Sequence, residues 1–177
     1  MLQQANQRRL NHLWRLAAAV MLLLLTSLPG TADNAMRSQD YVATKIQLLP
    51  APGRQPISFD VRLATTPAEH AYGLMFSPPL AVRTGMLFIF GEDAPRSFWM
   101  KNTPISLDML FFSSDGKLVG MVANAEPFSL TARKSQKAAQ YVLEIGGGEA
   151  ARLGLGPQTR LHLPVAATVN SAGSQEK

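Results

Sequence analysis

Residues 96–117, RSFWMKNTPISLDMLFFSSDGK, decide how the rest of this chain folds. The dipeptide Asp115-Gly116 lies between two apolar runs, residues 107–112 and 118–122. Asp-Gly between strand-forming residues is the strongest short-range hairpin signal, because glycine readily adopts the positive φ that a tight turn needs. The sequence therefore predicts a β-hairpin with its turn at Asp115-Gly116.

The first strand of this hairpin, residues 107–112, is apolar on both faces except at Asp108. Successive side chains of a strand point to opposite faces, so we expect this strand to be covered on both sides. A buried carboxylate must be paired or lie at a rim. The nearest candidate partners of Asp108 are Lys101 and Asn102, across the corner Thr103-Pro104. Asp108 therefore either structures that corner or belongs to a functional site.

Short apolar segments separated by Gly and Pro continue on both sides of the hairpin. The capping box Thr66–Glu69 predicts a short helix that ends at Gly73. A second short helix, residues 149–153, is predicted after the turn Gly146-Gly147-Gly148. The pattern predicts a mainly β domain, a sandwich or an open barrel of short strands with two short helices. The predicted strands are residues 44–49, 57–63, 86–90, 96–100, 107–112, 118–122, 140–145 and 160–163.

Several ordered motifs of the chain resemble those of one protein family. They are residues 73–76 (GLMF), 85–90 (GMLFIF), 98–119, 141–144 (YVLE) and the Gly-rich turn that runs into residues 150–155. Together they are similar to DUF192, a family of small bacterial and archaeal proteins of unknown function. The resemblance covers about residues 57–163. It implies a mainly β, jelly-roll-like fold and implies no activity. Tyr72 and Ser77 stand where the family often has arginine, so the resemblance does not extend to an anionic ligand held there.

The composition restricts the kinds of site that the chain can build. It contains no cysteine, which excludes disulfides and thiolate metal sites. The whole chain carries a formal charge of +5, but three arginines lie within the first 15 residues. From Asp33 onward there are 14 Lys+Arg and 12 Asp+Glu, so the charge falls to about +2. No basic run is interleaved with aromatic residues, and we therefore expect no nucleic-acid partner.

The N-terminal segment, residues 1–32, has the pattern of a secretory signal peptide. Positively charged residues precede the apolar run 16–25, and the small residues Gly30–Ala32 follow it. The apolar run is shorter than the roughly 20 residues that cross a bilayer. We expect cleavage near Ala32, a periplasmic or otherwise extracytoplasmic location, and contact with a membrane only during export. An uncleaved anchor and twin-arginine export through Arg8-Arg9 are the alternatives.

The remaining chain divides by composition into three parts. Residues 33–56 are polar with two prolines near their end, and they are predicted to be a linker or N-terminal extension. Residues 57–165 are predicted to be the β domain. Residues 166–177 are predicted to be a disordered tail, because they are polar and lie at the terminus.

A candidate ligand site is predicted from one aromatic residue and four polar residues: Trp99, Lys101, Asn102, Asp108 and Glu144. A concave β face with an aromatic side chain and a few convergent polar groups is a common binding site. The chain has no nucleophile elbow, zinc motif or phosphate-binding loop. We therefore expect a non-enzymatic module, without metal or cofactor, that binds a small molecule, a glycan or a protein.

Two other functions stay open at this point. Thioether sulfurs favour Cu(I), and an exported copper protein could use methionines beside Trp99, although methionine also fills apolar cores. The methionines in question are Met75, Met86, Met100, Met109 and Met121. Alternatively, Lys101, Asp108 and Glu144 could supply acid–base chemistry, because carboxylates on apolar faces tend to have raised pKa values.

Overall fold

The computed structural model describes residues 41–164. Within this range the chain forms nine strands and two short helices. The strands are β1 (Val42–Leu49), β2 (Ile57–Ala64), β3 (Thr84–Ala94), β4 (Ser97–Phe98), β5 (Leu107–Phe112), β6 (Leu118–Ala125), β7 (Arg133–Lys134), β8 (Ala139–Gly146) and β9 (Arg160–His162), and the helices are α1 (Pro67–Tyr72) and α2 (Glu149–Arg152). Neither described helix is long and apolar enough to cross a membrane. The predictions for residues 1–32 and 166–177 lie outside the described residues.

Seven of the strands form one curled sheet in the order β6-β5-β8-β3-β2-β1-β9. Only β2 and β3 pair in parallel, and α1 forms the crossover between them. The two edges of the sheet meet at one corner, where Leu161 N–H donates to the Gly116 carbonyl oxygen at 2.8 Å. The curled sheet is thus a half-barrel, and the predicted mainly β fold with two short helices is confirmed in its open-barrel form.

The predicted hairpin is present, with β5 and β6 antiparallel around Asp115-Gly116. Gly116 has φ of 76°, in the left-handed region that favours glycine. A Cβ atom at this position would also lie 2.4 Å from the Leu161 carbonyl oxygen. Glycine is therefore required both by the turn and by the corner that joins the sheet edges.

The segment 33–56, predicted as a linker with a short strand at residues 44–49, contributes strand β1 to this sheet. β1 pairs with β2 along seven register positions and with β9 along three. Ile46 and Leu48 are fully buried, because the alternation of this segment turns them toward the interior of the curl. The folded domain therefore begins before Ile57.

Buried apolar side chains form two clusters on the opposite faces of the sheet. All six residues of β5 are buried, as the sequence predicted. Leu110 and Phe112 belong to the cluster inside the curl, with Phe59, Leu143 and Ile145 among others. The second cluster lies under α1 and the segment after β4, and its members include Leu74, Met86, Phe88, Met100, Leu107, Met109, Phe111 and Val142.

Candidate functional site

The segment between β4 and β5 covers the second cluster as irregular chain. The predicted strand 96–100 is shorter in the structure, because Met100 N–H donates to the Ser129 carbonyl oxygen and a turn follows at Met100–Thr103. Phe98 packs edge-on against Phe88, with ring centroids 5.0 Å apart. Trp99 is 50% exposed. The side chain of Phe98 therefore packs against the core, whereas that of Trp99 lies at the surface.

A small cavity lies between α1, the turn at residues 99–103, and β8. Glu144 lines it together with Trp99, Lys101 and aromatic side chains of α1 and β3. The space open to the centres of water-sized groups is about 30 Å³. A single water needs about 10–15 Å³ by this measure, so the cavity holds one or two water-sized groups. We call it the Glu144 cavity.

Glu144 is a buried residue whose carboxyl oxygens reach the open space of the cavity. The residue is only 4% exposed and lies on β8 between Met86 of β3 and Met109 of β5. No hydrogen bond or ion pair joins its side chain to a residue within 41–164. Burial alone raises the pKa of Glu144 to about 8. The carboxyl group is therefore mostly protonated at neutral pH and can donate or accept a hydrogen bond in the cavity.

Asp108 lies on the other face of the sheet and does not reach this cavity. Its Oδ1 accepts from the N–H groups of Asn124 at 2.8 Å and Gly148 at 3.0 Å. Its Oδ2 accepts from Ala150 N–H at 2.8 Å. These three bonds tie β6, the glycine turn and the start of α2 to β5. The expected partners Lys101 and Asn102 are not among them, and the carboxylate organises backbone at the sheet face opposite Glu144.

The other predicted site residues are at or beside the cavity. Lys101 is exposed, with its Nζ atom 5.2 Å from the centroid of the Trp99 ring. Asn102 has φ of 55°, and its Nδ2 atom lies 3.8 Å from the sulfur of Met75, which lines the cavity. The structure thus brings Trp99, Lys101 and Glu144 together and places Asn102 next to them.

Sequence reasoning missed the part of the site that α1 contributes. His70 and Tyr72 line the cavity, as does Phe88 of β3. The Nε2 atom of His70 lies 3.0 Å from the Ala64 carbonyl oxygen and 3.1 Å from that of Ile89, which anchors α1 over β2 and β3. Burial lowers the pKa of His70, although both hydrogen bonds oppose the change. The capping box predicted this helix, but no local spacing connects His70 with Glu144.

The described residues hold no group of three or more His, Asp or Glu side chains that could bind a metal ion.

Comparison with known proteins agrees with the resemblance seen in the sequence. The model of the DUF192 family, described as an uncharacterized ACR, matches residues 50–163. The chain belongs to the DUF192 family. A search of curated proteins found no match.

Two solved structures are similar to this DUF192 protein. One is a candidate transcription regulator of Sinorhizobium meliloti 1021, at 38% identity and a TM-score of 0.66, covering 69% of this chain and 94% of that one. The other is a protein of unknown function from Novosphingobium aromaticivorans DSM 12444, at 35% identity and a TM-score of 0.65. That match covers 68% of this chain and 85% of the other. The fold is therefore shared with these two proteins.

Proposed function

We propose that this protein is an exported, non-enzymatic binding module that holds one small polar group of its ligand in the Glu144 cavity. The observation that carries the proposal is a buried carboxyl group that faces a cavity and has no protein partner among residues 41–164. Buried polar groups are nearly always hydrogen-bonded, and an unpartnered one suggests that its partner is a ligand or water. A glutamine or leucine would fill the same space at lower cost to stability.

The size of the cavity limits what enters it. Space for one or two water-sized groups admits a hydroxyl, an amino group or a water, and excludes a sugar ring or an aromatic ring. The rest of a larger ligand would then lie outside, against the half-exposed ring of Trp99 and beside Lys101. This arrangement suits recognition of one end or one substituent of a molecule.

A ligand panel with a matched pair of variants tests the proposal. Sugars, peptides, small acids and amines are screened by the shift in melting temperature of the wild type, Glu144→Gln and Glu126→Gln. Glu126 is exposed and does not line the cavity, so it serves as the control. A ligand at 100 times its Kd stabilises by about 2.7 kcal/mol, which gives a shift of several degrees. Hits that survive Glu144→Gln unchanged would refute the site.

The export part of the proposal rests on the leader pattern of residues 1–32. Mass spectrometry of the protein recovered from the expressing cells measures the mature N-terminus. We expect it near Asp33. A protein that starts at Met1 in the extracytoplasmic fraction would instead support a retained anchor.

A soft-metal site is the second candidate function, because Met75, His70 and Trp99 line the same cavity. The contacts of His70 Nε2 with two carbonyl oxygens place its hydrogen there, which leaves the Nδ1 lone pair available. Thioether and imidazole are suitable Cu(I) ligands. However, Met86, Met100 and Met109 are packed in the second cluster. A Cu(I) competition assay with Met75→Leu as the paired variant decides, and binding weaker than micromolar would end this candidate.

The two remaining interpretations gain no support from the geometry. Acid–base catalysis by Lys101, Asp108 and Glu144 would need the three side chains together, yet Asp108 and Glu144 lie on opposite faces of the sheet. The description of the Sinorhizobium meliloti protein as a candidate transcription regulator would predict nucleic-acid binding. Nothing at the Glu144 cavity favours that function.

A further inference from the structure

We propose that the group received by the Glu144 cavity is a primary ammonium group, and that the ligand is therefore an amine with an apolar chain. This inference rests on the proposed binding function of the same cavity and specifies its ligand class. Three features carry it: the charge that lines the cavity, its aromatic walls, and its size.

The lining of the cavity contains one acidic and one basic side chain, Glu144 and Lys101. Glu144 is the only acidic residue among the described residues that line it. The other titratable groups around it are His70 and Tyr72 from α1 and Lys101 from the turn, whereas β3 and β5 face it with apolar side chains. Lys101 is exposed beside the Trp99 ring and makes no ion pair with Glu144. A ligand cation would therefore meet a carboxyl group that no protein cation occupies, and would pair with it once that group has lost its proton.

Several of the residues that line the cavity carry aromatic rings. They include the rings of Tyr72, Phe88, Phe98 and Trp99, together with the His70 imidazole. The face of an aromatic ring carries negative potential and attracts ammonium groups. Once Glu144 has lost its proton, its carboxylate attracts a cation and repels a carboxylate or a phosphate. The cavity with an ionised Glu144 therefore favours a cation.

The volume selects among cations. An ammonium group is close to a water molecule in size, and the cavity of about 30 Å³ admits it. A trimethylated ammonium is several times larger and does not fit. The cavity thus distinguishes primary amines from quaternary ones.

Two exposed phenylalanines beside the turn at residues 99–103 point to an apolar chain on the ligand. Phe76 is 64% exposed with φ of 58°, and Phe128 is 62% exposed with φ of 60°. Their N–H groups donate to the carbonyl oxygens of Asn102 at 2.8 Å and Thr103 at 3.1 Å, so they flank the turn beside the cavity. Left-handed backbone is uncommon for bulky residues, and such strain is concentrated at functional sites. The Phe76 ring lies 6.2 Å from the ring of Tyr72, which lines the cavity, and so offers an apolar surface to a chain that leaves the cavity.

Binding of an ammonium group has a protonation signature. Because the pKa of Glu144 is about 8 in the free protein, its carboxyl must lose a proton to form the ion pair. At pH 7 about 0.9 proton is released for each amine bound, while the ammonium group keeps its own proton. Affinity then rises about fifty-fold between pH 6 and pH 8, in step with the ionised fraction of the carboxyl. A neutral or anionic ligand would give no such rise.

The test uses isothermal titration calorimetry on the full-length chain with four probes of equal chain length. These are n-hexylamine, hexyltrimethylammonium, hexanoate and 1-hexanol, each titrated at pH 6, 7 and 8. Titrations in two buffers of different ionisation enthalpy count the protons released. We expect n-hexylamine alone to bind, with proton release at pH 7. Glu144→Gln should weaken it by more than about tenfold, and Glu126→Gln should leave it unchanged.

The possible outcomes separate this inference from the function on which it rests. If hexanoate or hexanol binds in a Glu144-dependent manner and n-hexylamine does not, the ammonium inference is refuted and the binding function stands. If none of the four probes binds, and the broader panel is also silent, both are refuted. Amine binding without proton release or pH dependence would overturn the inference from the wild type alone, even if a variant failed to fold.

Discussion

Replacing Glu144 by glutamine tests whether its carboxyl group is buried at a cost to stability. The pKa of this group is about 8 in the folded protein, against an ordinary value of 4.5. Between these two values the unfolded chain has released the proton while the folded chain still holds it. The unfolded state therefore binds fewer protons, and the free energy of unfolding falls as the pH rises from 4.5 to 8.

The magnitude follows from the size of the pKa change. Each pH unit corresponds to about 1.4 kcal/mol, so Glu144 lowers stability by roughly 3 kcal/mol at pH 7 and by roughly 5 kcal/mol above pH 8. Glutamine has nearly the same shape and carries no charge. We therefore expect Glu144→Gln to be close to the wild type below pH 4.5 and increasingly more stable at higher pH.

Guanidinium denaturation of both proteins at pH 5, 7 and 8.5 measures this difference. Other groups titrate over the same range, but they do so in both proteins and cancel in the comparison. Glu126→Gln is the matched control and should track the wild type at every pH, because Glu126 is exposed. A Glu144→Gln protein whose stability gain is independent of pH, or which is destabilised at pH 8.5, would show that the carboxyl is solvated or partnered.

Three further changes test other parts of the structure. Asp108→Asn should lower the free energy of unfolding, measured by chemical denaturation, by roughly 3 kcal/mol, because an amide cannot accept all three N–H groups. A loss no larger than that of the exposed control Asp115→Asn would contradict the role of Asp108. Gly116→Ala should lower the melting temperature and speed hydrogen exchange at the Leu161 amide, because the added Cβ would lie 2.4 Å from the Leu161 carbonyl oxygen. Unchanged exchange would show that the two sheet edges are not joined at Gly116. Phe128→Asn should raise the free energy of unfolding by about 1 kcal/mol, since asparagine tolerates the left-handed backbone. A lower melting temperature would argue against backbone strain at Phe128.

Much of the local structure could be predicted because it depends on residues close together in the chain. The Asp115-Gly116 turn, the two-sided burial of β5 and the capping box at Thr66 all follow from φ preferences, side-chain alternation or a short hydrogen-bonded motif. Thr66 accepts from Glu69 N–H, and the Glu69 side chain accepts from Thr66 N–H, as the four-residue motif predicted.

Prediction of the candidate site was incomplete for the same reason. The sequence predicts a site from the aromatic residue Trp99 and from polar residues in apolar surroundings, among them Lys101 and Glu144. These three residues line one cavity. Asp108 satisfies the same criterion, but it lies on the other face of the sheet. Its hydrogen-bond partners depend on which distant segments pack against that face. The N–H groups that it accepts come from β6 and from the turn before α2, and no spacing near Asp108 indicates them.

The sequence by itself determined the order and type of most elements, the family, and the alternation that makes β5 a doubly covered strand. The tertiary structure alone decided that β1 joins the sheet, that β2 and β3 pair in parallel, and that α1 closes a cavity over Glu144. The physical reason is that turns and strands form from neighbouring residues, whereas the environment of a buried carboxyl depends on which distant segments pack around it. Glu144 became a distinctive residue only when β3, β5, α1 and the turn at residues 99–103 surrounded it and supplied no partner.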